Sequence, residues 1–237
     1  MKIAIIGHGK MGKTIESIAT QNTDEVLLRI TDENSYELTS ENLRKVDVAI
    51  EFTRPEAAFD NIKMCLEAGK PIVSGTTGWL DRMPEIQALT EQHGGAFFYA
   101  SNFSIGVNIF FSLNKKLAAM MNQHPAYTAS IHEIHHTQKL DAPSGTAITL
   151  GEGIVENIQH LDQWSTQKAQ PNQLHITSAR IDKTPGTHII NYVSEMDKIE
   201  ITHVAKSREG FAQGALMAAR WLIGKKGCFG MSDMLGI

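Results

Sequence analysis

Residues Ile3 to Thr14 read I-A-I-I-G-H-G-K-M-G-K-T, and this stretch decides the fold of the amino-terminal half. Four apolar residues form a short strand of the buried type, and a helical segment follows the glycines. The intervening pattern Gly7-x-Gly9-x-x-Gly12 is typical of dinucleotide binding when it joins a strand to a helix. Gly7 permits the tight turn, Gly9 lets the backbone approach a pyrophosphate, and Gly12 lets helix and strand pack closely.

An acidic residue follows the next predicted strand, Val26 to Ile30, at about the distance from the glycines that such a site requires. Asp32 is the better candidate to accept hydrogen bonds from the ribose hydroxyls, and Glu33 is the alternative. No arginine immediately follows to hold a 2′-phosphate, although Lys10 can reach it from the loop. The pattern therefore favours NADH over NADPH. A Rossmann-like domain that binds another nucleotide is the alternative.

Strands and helices alternate as far as Ala100, which predicts an α/β fold with a Rossmann-type, doubly wound parallel sheet. Ligands of such sheets lie beyond the carboxyl ends of the strands. Four of these ends carry small or polar groups: the glycine loop, Phe52-Thr53-Arg54, Gly75-Thr76-Thr77 and Ala100-Ser101-Asn102-Phe103. Their agreement predicts one nucleotide site at that edge.

The pattern changes after Asn102. A long amphipathic helix is predicted from Gly106 to Met121, and the alternation from Tyr127 to His136 is that of a strand. Three more strands are predicted without helices between them, at Leu174–Ile181, His188–Val193 and Glu200–Ala205. Such a run indicates an α+β domain with a mixed or antiparallel sheet. The polar segment from Ser165 to Gln173 is predicted to be a solvated connection.

The densest group of proton carriers lies in His132 to Thr146, which read H-E-I-H-H-T-Q-K-L-D-A-P-S-G-T. The adjacent imidazoles of His135 and His136 are followed by Lys139 and a Pro-Ser-Gly-Thr turn. Apolar residues from Ala147 to Leu161 have the spacing of one helical face, so the turn opens a helix. Because a helix start carries unpaired N–H groups, it suits a carboxylate or phosphate. The stretch predicts a site that binds an anionic small molecule and moves protons; an ordinary strand-turn-helix with surface histidines is the plainer alternative.

The segment His132 to His136 also matches H-E-x-x-H, with Glu152 or Glu156 as a third zinc ligand. That motif binds zinc when it lies on a helix, where residues four apart share a face. Here the alternation predicts a strand, in which Glu133 and His135 point away from the face of the other three residues. We therefore predict no metal site, and a zinc hydrolase is the disfavoured alternative.

Composition argues against several function classes. The net charge of −4 and pI near 6.2 are unlike those of a general nucleic-acid binder. No apolar run approaches the roughly 20 residues of a membrane span, and the strand that begins at Ile3 leaves no room for a signal peptide. The two cysteines, Cys65 and Cys228, are far apart and do not form a metal-like pair. These features predict a cytoplasmic protein.

Six motifs occur in order along nearly the whole chain: G-H-G-K-M-G, E-F-T-R-P, G-T-T-G, A-S-N-F-S-I-G-V-N, E-I-H-H-T-Q-K-L-D-A-P-S-G-T-A and G-C-F-G-M-S-D-M-L-G. With these motifs the chain resembles the 4-hydroxy-tetrahydrodipicolinate reductases, also called dihydrodipicolinate reductases, of the diaminopimelate route to lysine. The resemblance implies NAD(P)H-dependent reduction of 4-hydroxy-tetrahydrodipicolinate, a cyclic dicarboxylate, to tetrahydrodipicolinate. It also implies a cytoplasmic homotetramer assembled through the sheets of the substrate domains.

The resemblance divides the chain into a dinucleotide-binding domain, residues 1–103 and 209–237, and a substrate-binding and oligomerisation domain, residues 104–208. It makes His135 the proton donor or acceptor and Lys139 a proton donor. Substrate would be bound by His136, Ser144, Gly145 and Thr146. Cofactor, NADH or NADPH, would be bound by Gly7, His8, Gly9, Lys10, Met11, Gly12, Asp32, Gly75, Thr76, Thr77, Ala100, Ser101, Asn102 and Phe103.

Binding of substrate between two domains suggests closure about hinges near Asn102–Ser104 and Ser207–Gly210. Two other functions are compatible with the same motifs. A different NAD(P)-dependent oxidoreductase would act on another carbonyl or imine, and a nucleotide-sensing protein would bind the cofactor without needing His135 or Lys139.

Overall fold

The computed structural model describes residues 1–167, 170–207 and 209–237. The chain divides into two compact units, one formed by Met1–Ile105 with Glu209–Ile237 and the other by Gly106–Arg208. The first unit is therefore discontinuous in sequence, because the carboxyl-terminal segment returns to it. Within the described ranges, every helix is too short or too polar to cross a membrane.

Elements are numbered along the whole chain. The strands of the first unit are β1 (Lys2–Ile6), β2 (Glu25–Ile30), β3 (Val48–Glu51), β4 (Ile72–Ser74), β5 (Ala96–Tyr99) and β11 (Gly227–Phe229). Its helices are α1 (Lys10–Gln21), α2 (Ser40–Leu43), α3 (Pro55–Glu67), α4 (Met83–Gln92), α7 (Glu209–Leu222) and α8 (Met231–Leu235), with short 3-10 turns at Ser35–Glu37 and Leu80–Arg82. The strands form one parallel sheet in the order β11-β5-β4-β3-β1-β2.

The alternation of side chains along a strand explains why this sheet is covered on both faces. Ile3 and Ile5 of β1 pack into one core with α1 and α7. Ala4 and Ile6 of the same strand pack into a second core with α3 and α4. Since every residue of the strand after Lys2 is buried, the sequence reads as a continuous apolar run. The predicted doubly wound parallel sheet is confirmed.

The second unit has helices α5 (Ile105–Met121) and α6 (Gly145–Val155) and strands β6 (Thr128–His135), β7 (Gln163–Ser165), β8 (Gln173–Arg180), β9 (Thr187–Val193) and β10 (Lys198–Val204). The strand order is β10-β9-β6-β8-β7. β6 runs parallel to β8 and antiparallel to β9, so the sheet is mixed, as the prediction allowed. One face packs on the two helices around buried Ile131, Ile176 and Tyr192.

Several boundaries differ from the prediction for local reasons. The predicted helix from Leu80 begins as a 3-10 turn, and α4 starts only at Met83, where Pro84 occupies its first turn. The helix predicted as far as Leu161 ends at Val155, although Ile158 and Leu161 are still buried. Ile158 and Leu161 are therefore buried in the turn that follows α6, although their spacing continues the apolar pattern of the helix.

The predictions also missed short elements. The predicted connection from Ser165 overlaps the end of β7, and its residues Lys168 and Ala169 lie outside the described residues. The carboxyl-terminal Gly-rich segment contains β11 and α8, which are too short for a periodic signal. Arg208, in the second predicted hinge, also lies outside the described residues.

Candidate active site

The glycine loop of the first unit has the backbone that the motif requires. Gly7 adopts a φ of +93°, and a Cβ at this position would lie 2.0 Å from the carbonyl oxygen of Phe52. A Cβ on Gly12 would lie 2.4 Å from the carbonyl oxygen of Gly7. Gly9, which precedes α1, has open space at the same point. The first and third glycines are therefore needed for packing, whereas the second leaves the helix start accessible to an anion.

A cavity of about 400 Å³ adjoins this loop. Its lining includes Gly7 to Gly9, Asp32 and the Phe52-Thr53-Arg54 strand end. Asp32 lies at the carboxyl end of β2, as predicted, and its carboxylate accepts a hydrogen bond of 3.1 Å from the guanidinium of Arg54. Both side chains are exposed, at 81% and 67%, so the pair can open at little cost when a ligand binds.

The predicted cofactor residues differ in their surroundings. His8 lies 2.5 Å from the carboxylate of Glu16, and Lys10 begins α1. Met11 packs against the core, as do the buried Ala100 and Phe103. Among the described residues, those that line the cavity do not include 75–77 or 100–103.

Glu51 connects two of the predicted strand ends and was not predicted. It is fully buried at the end of β3, paired in register with Ser74 of β4. Its carboxylate accepts hydrogen bonds from the hydroxyls of Ser74, Thr53 and Thr76 and from the N–H of Thr53. The N–H of Thr53 also donates to the Thr76 hydroxyl at 2.8 Å. The carboxylate of Glu51 thus links Thr53, which lines the cavity, to Thr76 in the predicted cofactor loop.

The second unit gathers the predicted proton carriers at the end of its sheet. The alternation of β6 places Glu133 and His135 on the face of the buried Ile131, as predicted. Glu133 is paired across the strands with His188 of β9. The rings of His135 and His188 meet edge to face, with centroids 5.1 Å apart.

Glu133 is fully buried and accepts several hydrogen bonds. The N–H of Ser144 lies 3.1 Å from both carboxylate oxygens, and the hydroxyl of Ser178 lies 2.8 Å from one of them. Both guanidinium NH groups of Arg180 lie 3.3 Å from that same oxygen. Nδ1 of His135 lies 3.2 Å from the other oxygen, without the alignment of a hydrogen bond. Burial raises the pKa of Glu133, but the hydrogen bonds from Ser144 and Ser178 outweigh it, so the pKa lies below its ordinary value.

Burial lowers the pKa of His135, although the charge of Glu133 opposes the shift. The cations of Lys139 and Arg180 lower it further. Burial and the neighbouring His135 lower the pKa of His188 to about 4. Both imidazoles are therefore neutral at neutral pH.

Lys139 lies in the loop after β6, and its ammonium donates to both carboxylate oxygens of Asp141 at 2.8 and 2.7 Å. This contact lowers the pKa of Asp141. The guanidinium of Arg180 donates to the carbonyl oxygens of Lys139, at 3.3 Å, and Asp141, at 2.5 Å. The loop that carries Lys139 is thereby held to β8.

The predicted helix start is confirmed at Gly145. Ser144 caps α6, since its hydroxyl accepts a hydrogen bond from the N–H of Ala147 at 3.2 Å, and it also lies 3.2 Å from Nε2 of His188. Ser144 is buried, and its own N–H is used by Glu133. The first-turn N–H groups of Gly145 and Thr146 cannot be satisfied within the helix. His136 follows β6 and is half-buried.

The H-E-x-x-H reading fails because its residues lie on a strand rather than a helix. Among the described residues, Glu133, His135 and His188 do place possible metal ligands within 4.8 Å of one another. However, both oxygens of Glu133 accept hydrogen bonds, and the guanidinium of Arg180 would repel a cation there. The donor set does not suit a metal.

Comparison with known proteins agrees with this geometry. Residues 1–103 match the family model described as dihydrodipicolinate reductase, N-terminus, and residues 106–235 match the model of its C-terminus. The chain belongs to the dihydrodipicolinate reductase family. A 4-hydroxy-tetrahydrodipicolinate reductase of Christiangramia forsetii is 48% identical over 99% of this chain and 98% of its own length. The enzyme of Neisseria meningitidis serogroup A is 33% identical over 100% of this chain and 98% of its own.

A solved structure shares the fold of this reductase. The dipicolinate-bound dihydrodipicolinate reductase from Paenisporosarcina sp. TG-14 superposes with a TM-score of 0.77, at 23% identity, over 98% of each chain. The predicted family and reaction are confirmed. The chain is an oxidoreductase that reduces 4-hydroxy-tetrahydrodipicolinate with NAD(P)H, in lysine and diaminopimelate biosynthesis.

Sequence reasoning gave no role in the candidate site to four side chains that organise it: Glu51, Arg54, Glu133 and Arg180. Glu51 is an acidic residue in an otherwise buried strand, and Glu133 lies on the buried face of an alternating strand. Both contrasts are visible in the sequence. Arg54 lay in a strand end that the prediction had selected, but its contact with Asp32 depends on the strand order. Arg180 depends on the parallel pairing of β6 and β8, which the sequence does not specify.

Proposed function

We propose that this reductase binds its cyclic dicarboxylate at the start of α6 and transfers protons through His135 and Lys139. The observation that supports the proposal is that His135 and Lys139 both lie near this helix start. Glu133 accepts hydrogen bonds from the N–H of Ser144 and from Arg180, and Arg180 also donates to the carbonyl oxygen of Lys139. A substrate carboxylate would accept hydrogen bonds from the N–H groups of Gly145 and Thr146. The half-buried imidazole of His136 would contribute a further partner.

Lys139 would hold a carboxylate of the substrate or protonate its ring. Its ammonium now contacts Asp141, a largely exposed carboxylate, so a bound substrate competes with a weak surface pair. The side chain of Lys139 is half-buried and ends in an ammonium that carries donor protons, so it suits the role of proton donor.

The reaction replaces the 4-hydroxyl of the substrate by hydrogen and releases water, so it consumes one hydride and one proton. A nicotinamide supplies the hydride when bound. The one proton that is consumed leaves with the hydroxyl as water, and the chain must supply it. Any proton that a base removes from the ring during the loss of water must be returned to the ring afterwards. His135 is neutral near pH 7, so it can take up such a proton and give it back.

We propose that the cofactor occupies the cavity beside the glycine loop. We further propose that Asp32 recognises the adenosine ribose of NADH and that Arg54 recognises the phosphorylated ribose of NADPH. Asp32 would accept hydrogen bonds from the 2′- and 3′-hydroxyls of NADH. Arg54 would release Asp32 and bind the 2′-phosphate of NADPH. This arginine follows β3, which is separated from β2 by β1 in the sheet, so the absence of an arginine directly after Asp32 does not disfavour NADPH.

The cofactor proposal is tested by comparing both cofactors in one steady-state assay. Arg54→Gln should raise the KM for NADPH roughly tenfold, the loss of one charge-assisted hydrogen bond, and change that for NADH much less. Asp32→Asn should raise the KM for NADH more than the KM for NADPH. Equal changes of the two KM values in both variants would contradict the separate roles of Asp32 and Arg54.

We also infer a homotetramer that assembles through the face of the second sheet opposite α5 and α6. That face carries half-buried Ile134 and Ile189 and the exposed Val193 and Val204. Asn191 on the same face has a buried carbonyl oxygen without a partner among the described residues. Val193→Asp should lower the mass measured by light scattering.

We further infer a cytoplasmic location, which suits the unpaired state of Cys65 and Cys228.

Purified protein should oxidise NADH or NADPH only when the product of dihydrodipicolinate synthase is supplied. His135→Gln and Lys139→Ala should reduce that rate while NADH binding is retained. Oxidation at a normal rate by both variants would reject the proposed roles, since neither side chain would then take part.

A further inference from the structure

Glu133 contacts three separate segments of the substrate site. It accepts the N–H of Ser144, at the start of α6, and lies beside Nδ1 of His135 on its own strand. It also accepts hydrogen bonds from Arg180 at the end of β8. A fully buried carboxylate is costly unless it is paired. Three of the contacts of Glu133, those with Ser144, His135 and Arg180, lead to groups of the proposed site.

Arg180 extends these contacts to Lys139. Its guanidinium donates to the carbonyl oxygens of Lys139 and Asp141, which flank the exposed Leu140. Without the negative charge of Glu133, Arg180 would be a half-buried cation with carbonyl partners alone. The position of the Lys139 loop therefore depends on Glu133 through one intermediate side chain.

His135 is enclosed by the same groups. Its Nδ1 faces Glu133, and its Nε2 faces Gly186, where a Cβ would lie 3.1 Å from that nitrogen. In the tautomer that carries its proton on Nδ1, the ring would direct that proton toward the carboxylate and leave Nε2 to exchange protons. The titratable or charged groups that act on His135 and its neighbour His188 come from several elements: Glu133, Lys139, Asp141, Arg180 and His203.

We propose that Glu133 is the positioning residue of this reductase, which orients His135 directly and fixes the Lys139 loop and the α6 helix start through Arg180 and Ser144. The inference rests on the proposed role of His135. Glu133 itself would touch neither substrate nor cofactor, because its side chain is fully buried. Its effect on the rate is exerted through the groups that do.

Three variants test the proposal: Glu133→Gln, Glu133→Asp and the control Glu152→Gln, which changes an exposed carboxylate on α6. Glu133→Gln removes the anion that raises the pKa of His135, so the limb of the kcat–pH profile that reports His135 should move by about one unit to lower pH. Its kcat should fall about tenfold or more, the scale of a misplaced proton carrier. Glu133→Asp should keep the limb near its original pH with a smaller loss of rate, and the control should match wild type.

NMR titration of the His135 ring supplies a readout that is independent of turnover, with the resonance assigned by its loss in His135→Gln. A shift of that titration to lower pH in Glu133→Gln alone supports the proposal. An unchanged His135 titration together with a lowered melting temperature would show a merely structural carboxylate and overturn it. If Glu133→Gln does not fold, the comparison of Glu133→Asp with wild type decides, because an unchanged rate there contradicts positioning. Failure of the proposed function itself is distinguishable, since His135→Gln would then retain the wild-type rate.

Discussion

Glu51 in the first unit and Glu133 in the second are both fully buried carboxylates near the carboxyl end of a strand. Glu51 is surrounded by Ser74, Thr53 and Thr76, whose hydroxyl and amide donors do not titrate near neutral pH. Glu133 also has serine partners, but it adds a guanidinium and two imidazoles. A cofactor site needs a frame of constant charge, whereas a site that moves protons needs neighbours whose charge can change.

This comparison predicts that the largest kinetic effect arises in the second unit. Lys139→Ala should lower kcat by about 100-fold or more, the scale of a lost acid catalyst. NADH binding, measured by fluorescence, should remain unchanged because the first unit is not altered. Lys116→Ala, which removes an exposed lysine from α5, is the control. A near-normal rate for Lys139→Ala would refute its role.

The complementary prediction concerns Gly9 in the first unit. Gly9→Val should leave the melting temperature nearly unchanged, because a Cβ there meets nothing within 4 Å. It should weaken NADH binding by roughly tenfold or more, since the added side chain blocks approach to the helix start. Dicarboxylate affinity should not change. Unaltered NADH affinity would show that the cofactor does not approach this loop.

Acid pH should destabilise the protein through the surroundings of Glu133, because they include the titratable imidazole of His188 and, among the described residues, those of Glu51 include no such group. The pKa of His188 is about 4 in the folded protein and near its ordinary 6.5 when unfolded, so the unfolded state binds more protons in between. The free energy of unfolding should therefore fall as the pH decreases from 6.5 toward 4, by roughly 1 kcal/mol between pH 7.5 and 5.5. Urea unfolding of wild type and His188→Gln measures this loss, which should be smaller in the variant. Equal pH dependence of the two proteins would show that His188 is not the source.

A smaller effect is expected at Gly186. A Cβ at this position would lie 3.1 Å from Nε2 of His135, so Gly186→Ala should displace the ring by a few tenths of an ångström. A displacement of that size should lower kcat about fivefold, less than the loss expected for a 1 Å misplacement. Gly224→Ala is the matched control, because its φ is also positive, at +82°, and a Cβ there meets nothing within 4 Å. Identical rates for both variants would mean that His135 has room to move.

Much of the first unit is predictable from the sequence, because the spacing of apolar residues along its strands and helices matches the sides on which they are buried. The apolar run Ile3–Ile6 and the three glycines determine a strand, a turn and a helix by local geometry. In the second unit the alternation of β6 correctly predicted the shared face of Glu133 and His135. These are properties of short stretches of chain.

The remaining features depend on contacts between distant strands. His188 and Arg180 reach Glu133 because β9 and β8 flank β6, an order that no local pattern contains. Arg54 reaches Asp32 for a similar reason, although the two residues follow strands separated by β1. The sequence prediction selected His135 and Lys139 as candidate proton carriers and assigned no role to the residues that hold them.

Calorimetric titration of Glu51→Gln and Glu133→Gln with NADH and with dipicolinate measures how far each unit depends on its own buried carboxylate. Glu51→Gln should weaken NADH binding and leave dipicolinate binding intact, whereas Glu133→Gln should weaken dipicolinate binding and leave NADH binding intact. Loss of both affinities in both folded variants, or of neither affinity in either variant, would contradict this separate dependence.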